Sequence, residues 1–93
     1  MKKWLLLLFL VSFSWEDYEN LSEDLAGYRI YIYRVTCTEP TLETEIEIPN
    51  PLERHCIYSG TGARRGLRRA HITAVGIDGG ESAPSNVVEF KFK

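Results

Sequence analysis

The sequence predicts an all-β fold, an antiparallel two-sheet sandwich. Three observations carry that expectation. Apolar and polar residues alternate with a period of two in several short stretches, of which TLETEIEI (residues 41–48) is the cleanest. Clusters of Gly, Pro, Asp and Asn punctuate the intervals between them. No stretch sustains a helical period, so short strands joined by turns are left to build the core. A chain of 93 residues makes one small domain, in which each large apolar side chain matters. Its net charge of −2 argues against binding nucleic acid through bulk charge.

The elements follow in order. Val11-Ser12-Phe13-Ser14-Trp15 alternates like a strand with one face in a core. EDYENLSEDLAG (16–27) is polar and acidic and reads as a loop closed by Gly27. YRIYIYRV (28–35) is a strand, with Tyr28, Ile30 and Ile32 on one face and Arg29, Tyr31 and Tyr33 on the other. After the break at Thr38-Glu39-Pro40, residues 41–48 set Leu42, Thr44, Ile46 and Ile48 against a solvated ladder of Glu43, Glu45 and Glu47. Pro49 and Pro51 end that strand, because proline cannot donate to a ladder. His55 to Tyr58 is a short strand and SGTGARRG (59–66) a glycine-rich loop. Leu67 to Ile77 alternates Ala70, Ile72 and Ala74 with Arg69, His71 and Thr73. Asp78-Gly79-Gly80 supplies a turn that tolerates positive φ, and NVVEFKF (86–92) closes the chain with Val88, Phe90 and Phe92 inward. Trp15, Tyr28, Ile30, Ile72, Ala74, Val88 and Phe90 are the expected core.

Two blocks of this pattern resemble a known family. VSFSWEDYENLSEDLAGYRIYI looks like the B strand, BC loop and C strand of a fibronectin type III domain of bacterial or phage type. ITAVGIDGGESAPSNVVEF is similar to that family's F strand, FG turn and G strand, with Gly80-Glu81-Ser82-Ala83-Pro84-Ser85-Asn86 the most specific part. Between them the chain departs from the family. Arg68 stands where a tyrosine that folds back on the EF corner is expected, which leaves Leu67 to pack inward in its place. The resemblance implies a fibronectin type III-like, immunoglobulin-like sandwich placed on a cell surface, in an extracellular enzyme or on a virion.

The first residues support two readings. Lys2 and Lys3 followed by an apolar run from Trp4 match an export signal, with Ser12 and Ser14 spaced for a cut after Ser14. The run is too short to span a bilayer as a helix, and no membrane is expected for the mature chain. A fibronectin type III-like sandwich, however, needs residues 1–14 for strands A and B. On that reading Trp4, Leu5, Leu6, Leu7, Leu8 and Phe9 are apolar on both strand faces, and the second face suggests contact with another protein subunit or a second copy.

Candidate chemistry is sparse. Cys37 and Cys56 are compatible with one disulfide, and no cofactor is implied. His55 and Cys56 are adjacent on a strand, so they point to opposite faces and cannot act as a base and nucleophile pair. Cys37, His55, Cys56 and His71 lack the short paired spacings of a zinc site. Arg64, Arg65, Arg68 and Arg69 form the densest basic cluster, either a solvated loop or an anion site for an acidic glycan, a nucleic-acid backbone or an acidic protein face. With no convergent acid, base or nucleophile, the expectation is a non-catalytic structural or binding module rather than an enzyme. Its partners would be other protein subunits in a virion or extracellular assembly. The alternative is a small exported adhesion or glycan-binding protein.

Overall fold

The computed structural model describes residues 6–9, 12–16, 24–36, 39–58 and 66–92, and for residues 6–9 and Phe92 the description is of the backbone. Seven strands appear among them: β1 (Leu6–Phe9), β2 (Ser12–Trp15), β3 (Leu25–Arg34), β4 (Thr41–Ile48), β5 (His55–Ile57), β6 (Gly66–Gly76) and β7 (Val88–Phe92). They form two antiparallel sheets, one of three strands in the order β1-β2-β5 and one of four in the order β4-β3-β6-β7. The all-β expectation holds.

The inward faces meet in one core. Phe13 and Trp15 of the small sheet pack on Tyr28, Ile30, Ile32, Ile48, Ala70, Ile72, Ala74 and Phe90 of the large one. Across the interface Phe13 and Phe90 meet edge to face at 5.6 Å between centroids, and Trp15 and Tyr28 lie 5.5 Å apart. Of the expected core residues, all but Val88 are buried, and Val88 is half-buried against the same cluster. The Tyr28 hydroxyl donates to the Pro51 carbonyl at 2.8 Å and accepts from Arg54 Nη1 at 2.9 Å. Together these bonds tie the β4–β5 loop to the end of the core.

Some elements begin or turn differently from the sequence expectation. β3 starts at Leu25, within the stretch read as loop, because Leu25 and Gly27 already pair with Gly76 and Val75 of β6 around a bulge. Glycine is required at position 27, since a Cβ there would lie 2.0 Å from the Ile48 carbonyl oxygen. The clean alternation of β4 is also broken. Ile32 pairs with Thr44 but Tyr33 pairs with Leu42, so Glu43 is an extra residue in a bulge. Leu42 is thereby turned to the outer face, 43% exposed, and the Glu43 carboxylate reaches Arg68 Nε at 2.7 Å. Finally, Leu67 does not take the inward place near the corner. Arg68 lies in register with Phe90 on the inward face, alternates with Ala70 and Ile72, and is itself buried.

The ESAPSN stretch gains a physical role. Ser82 and Ser85 each donate a backbone N–H to β6, to the carbonyls of Ala74 and Ile72 at 2.9 Å. Their Oγ atoms accept in return from the amides of Ala74 and Ile72, at 2.9 and 3.0 Å. The two hydroxyls stand in for ladder carbonyls across a segment that Pro84 keeps from being a regular strand. Gly79, with φ of 90°, makes the preceding turn as expected.

Candidate interaction surface

The outer face of the large sheet carries the richest arrangement of polar and aromatic groups. Its centre is built by β3 and β6, whose register sets Arg29 beside Thr73 and Tyr31 beside His71, with Tyr33 next along β3. The His71 ring lies between two tyrosines, 5.1 Å from Tyr31 and 5.7 Å from Tyr33, nearly parallel to the latter. All three side chains are half-buried.

At one edge of this strip the turn after β6 brings Glu81 back over the sheet. Its Oε1 accepts from the Tyr31 hydroxyl at 2.5 Å and from Thr73 Oγ1 at 2.7 Å, while Arg29 Nη1 reaches Oε2 at 3.2 Å. Arg29 Nη2 also donates to Glu47 at 2.9 Å. The hydrogen bond from Tyr31, then that from Thr73, holds the Glu81 carboxyl below the usual glutamate range, so it stays ionised. Burial, then the bond to Glu81, pushes the Tyr31 phenol up. Burial lowers His71 despite the nearby Glu81 charge, which keeps the imidazole neutral at neutral pH. Glu45 faces Tyr31 from β4, is exposed, and makes no ion pair among the described residues.

The residues singled out from sequence do not gather here as a set. Arg64 and Arg65 lie outside the described residues, as do Trp4, Leu5 and Cys37. Arg68 and Arg69 are on opposite faces of β6. Buried Arg68 donates through Nε to the partly exposed Glu43 at 2.7 Å, and Arg69 Nε donates to Glu89 on the outer face at 2.7 Å. Leu6, Leu7, Leu8 and Phe9 have their backbone in β1, paired with β2. Cys56 is a free thiol on β5 beside Phe13, and burial, then the Glu53 charge, raises its pKa. No three His, Cys, Asp or Glu side chains among the described residues come together as a metal site. No helix there is long and apolar enough to cross a membrane. A recess of about 160 Å³ lies beside Gly27, Tyr28, Glu47 and Ile48, smaller than the roughly 300 Å³ at which small-molecule sites begin.

Sequence reasoning separates Tyr31, Tyr33 and His71 from the core but does not join them. The available signal is that all three fall on the non-core phase of two adjacent strands. Comparison with protein-family models, with curated proteins and with solved structures finds no match to this chain.

Proposed function

We propose that the chain is a fibronectin type III-like sandwich acting as a non-catalytic structural or binding module, a component of a larger assembly on a virion or cell surface. The partition of strands carries this reading. The strand that the resemblance labels B lies in one sheet, and those it labels C, F and G lie together in the other, as in immunoglobulin-like sandwiches. Two further features support it. Gly27-Tyr28 and ESAPSN, the parts of the sequence most like the family, each serve a specific contact between strands. The two charged side chains that line the recess beside Gly27, Arg29 and Glu47, are bonded to one another at 2.9 Å.

Contact with other subunits would run through the apolar N-terminal segment and the loops. The test compares the full chain with residues 11–93 by light scattering and thermal melting, alongside mass spectrometry of the chain recovered from its source. A full-length product that associates, with a shorter chain that does not, supports the assembly component. A product starting near Trp15 that stays monomeric would instead support the exported adhesion or glycan-binding protein.

A further inference from the structure

We infer that the outer face of the large sheet, at Tyr31, Tyr33, His71, Leu42 and Glu45, is a docking surface for a basic segment of a partner protein, read through its arginine or lysine side chains. The inference rests on the reading of the chain as a binding module and names the surface and the chemistry of what it takes.

The apolar and aromatic part of the patch comes from an arrangement that solvation alone does not require. A bulge at Glu43 turns Leu42 outward beside Tyr33, leaving a large aliphatic side chain 43% exposed. Next to it the rings of Tyr33, His71 and Tyr31 follow one another at no more than 5.7 Å across two central strands. Tyrosine is enriched where binding energy concentrates, because it offers wide contact area with few torsions to freeze. The strip is also held in place. Tyr31 is anchored by its bond to Glu81, and the backbone beneath belongs to the best-paired strands of the molecule.

The charge around the strip selects the occupant. Of the cations on this face, Arg29 is paired with Glu47 and Glu81 and Arg69 with Glu89, while Lys91 stands opposite Leu67 on β7, the edge strand away from Tyr31 and Glu45. Glu45 is exposed beside Tyr31 with no ion pair among the described residues, and Glu81 keeps its charge at the other side of the ring. His71 is neutral, so it adds no repulsion. The charge left without a counter-charge beside Tyr31 is therefore that of the Glu45 carboxylate. A guanidinium or ammonium laid over Tyr31 or Tyr33 would meet the negative face of the ring and the Glu45 carboxylate together. A neutral sugar could stack on the same rings, but it would leave the carboxylate without a counter-charge. An acidic glycan would be repelled by it.

The experiment titrates the folded full chain with an acetylated, amidated peptide of alternating arginine and glycine, following the aromatic proton resonances of Tyr31, Tyr33 and His71. The same peptide with glutamate for arginine and a neutral chito-oligosaccharide serve as comparisons. We expect saturable shifts of those resonances with the basic peptide alone, and affinity about tenfold weaker in Glu45→Lys. Glu53→Lys makes the same charge change in the β4–β5 loop and should leave affinity unchanged. Glu45 is exposed, so Glu45→Lys should melt with the parent, and a change in binding cannot then be ascribed to unfolding. Basic peptide that leaves the three rings unmoved, or that binds Glu45→Lys as well as the parent, overturns the inference. So do shifts caused by the oligosaccharide in preference to the peptide. If those results appear while the full chain still associates with other subunits, the module reading stands and this surface is not its contact.

Discussion

Arg68 and Arg69 are neighbours in the chain, and each donates through Nε to a glutamate at 2.7 Å. The first side chain is 0% exposed and its Glu43 partner 24%, whereas Arg69 and Glu89 are 46% and 50% exposed. Bond length is therefore the same on the two faces of β6, and surroundings are not. In water an ion pair replaces good solvation with modest attraction, and its net worth is about 0–1 kcal/mol. In the interior, solvation has already been given up, so removing one partner leaves the other charge poorly stabilised. The buried Arg68 guanidinium comes with a counter-charge, and the bulge at Glu43 is what delivers it. The outward face can carry charges, rings and an exposed leucine with little consequence for folding, which leaves it open to other uses.

The contrast breaks most visibly if the interior proves insensitive. Trp15→Ala should cost about 3–5 kcal/mol, a large part of the stability of so small a domain. Trp15 is buried, joins the two sheets through Tyr28, and donates its own backbone N–H to Arg54 O at 3.0 Å. A chemical denaturation midpoint close to that of the parent would contradict the core as described.

Next in size is Glu43→Ala, which removes the carboxylate to which the buried guanidinium donates and should cost about 3 kcal/mol. The double substitution Arg68→Met with Glu43→Leu should recover most of that loss, because an apolar pair needs no counter-charge. Urea unfolding of the single and double variants reads both. A double variant no better than Glu43→Ala would mean that the pair sets the shape of the corner, beyond balancing its charge.

Acid sharpens the comparison from the outer side. Glu81 has a lower pKa in the folded chain than in the unfolded one, so between the two values the unfolded chain binds more protons. Its contribution is complete above the ordinary glutamate value of about 4.3 and is lost as pH falls through the folded value. His71 runs in the same direction, since burial lowers its folded pKa. Its share is complete above about pH 6.5 and declines as the unfolded imidazole takes up a proton first. The melting temperature should therefore fall in two stages on acidification. His71→Phe should remove the earlier stage and Glu81→Gln the later one, and unchanged profiles in both would refute the assignment.

The two faces also differ in how far the sequence alone reveals them. Phe13 and Trp15, Tyr28 and Ile30, and Ala70 and Ile72 fall inward by alternation, and turn residues mark most strand ends. The bulge at Glu43 is invisible in TLETEIEI, because an extra residue in a perfectly alternating run changes only the register against β3. Arg68 has the phase of Ala70 and Ile72, but its charge argues for solvent, and the partner that lets it turn inward lies 25 residues away. The start of β3 is hidden because Leu25-Ala26-Gly27 follows an acidic, loop-like stretch while its backbone already pairs with β6. Tyr31 and His71 are joined only by cross-strand register, which composition does not encode.

The smallest expected effect closes the comparison. Arg69→Ala deletes a pair whose geometry matches that of Arg68 and Glu43, so distance alone would predict equal losses. Both partners are about half exposed, and Glu89 regains water when the guanidinium leaves. Two long side chains are also released from one geometry, which offsets part of the lost attraction. The cost should lie between about 0 and 1 kcal/mol and shrink further in high salt. Denaturant unfolding of Arg69→Ala beside Glu43→Ala, at low and high salt, measures the two faces in one series. A loss for Arg69→Ala as large as that for Glu43→Ala would show that the outer pair is desolvated, and the distinction between the faces would fall.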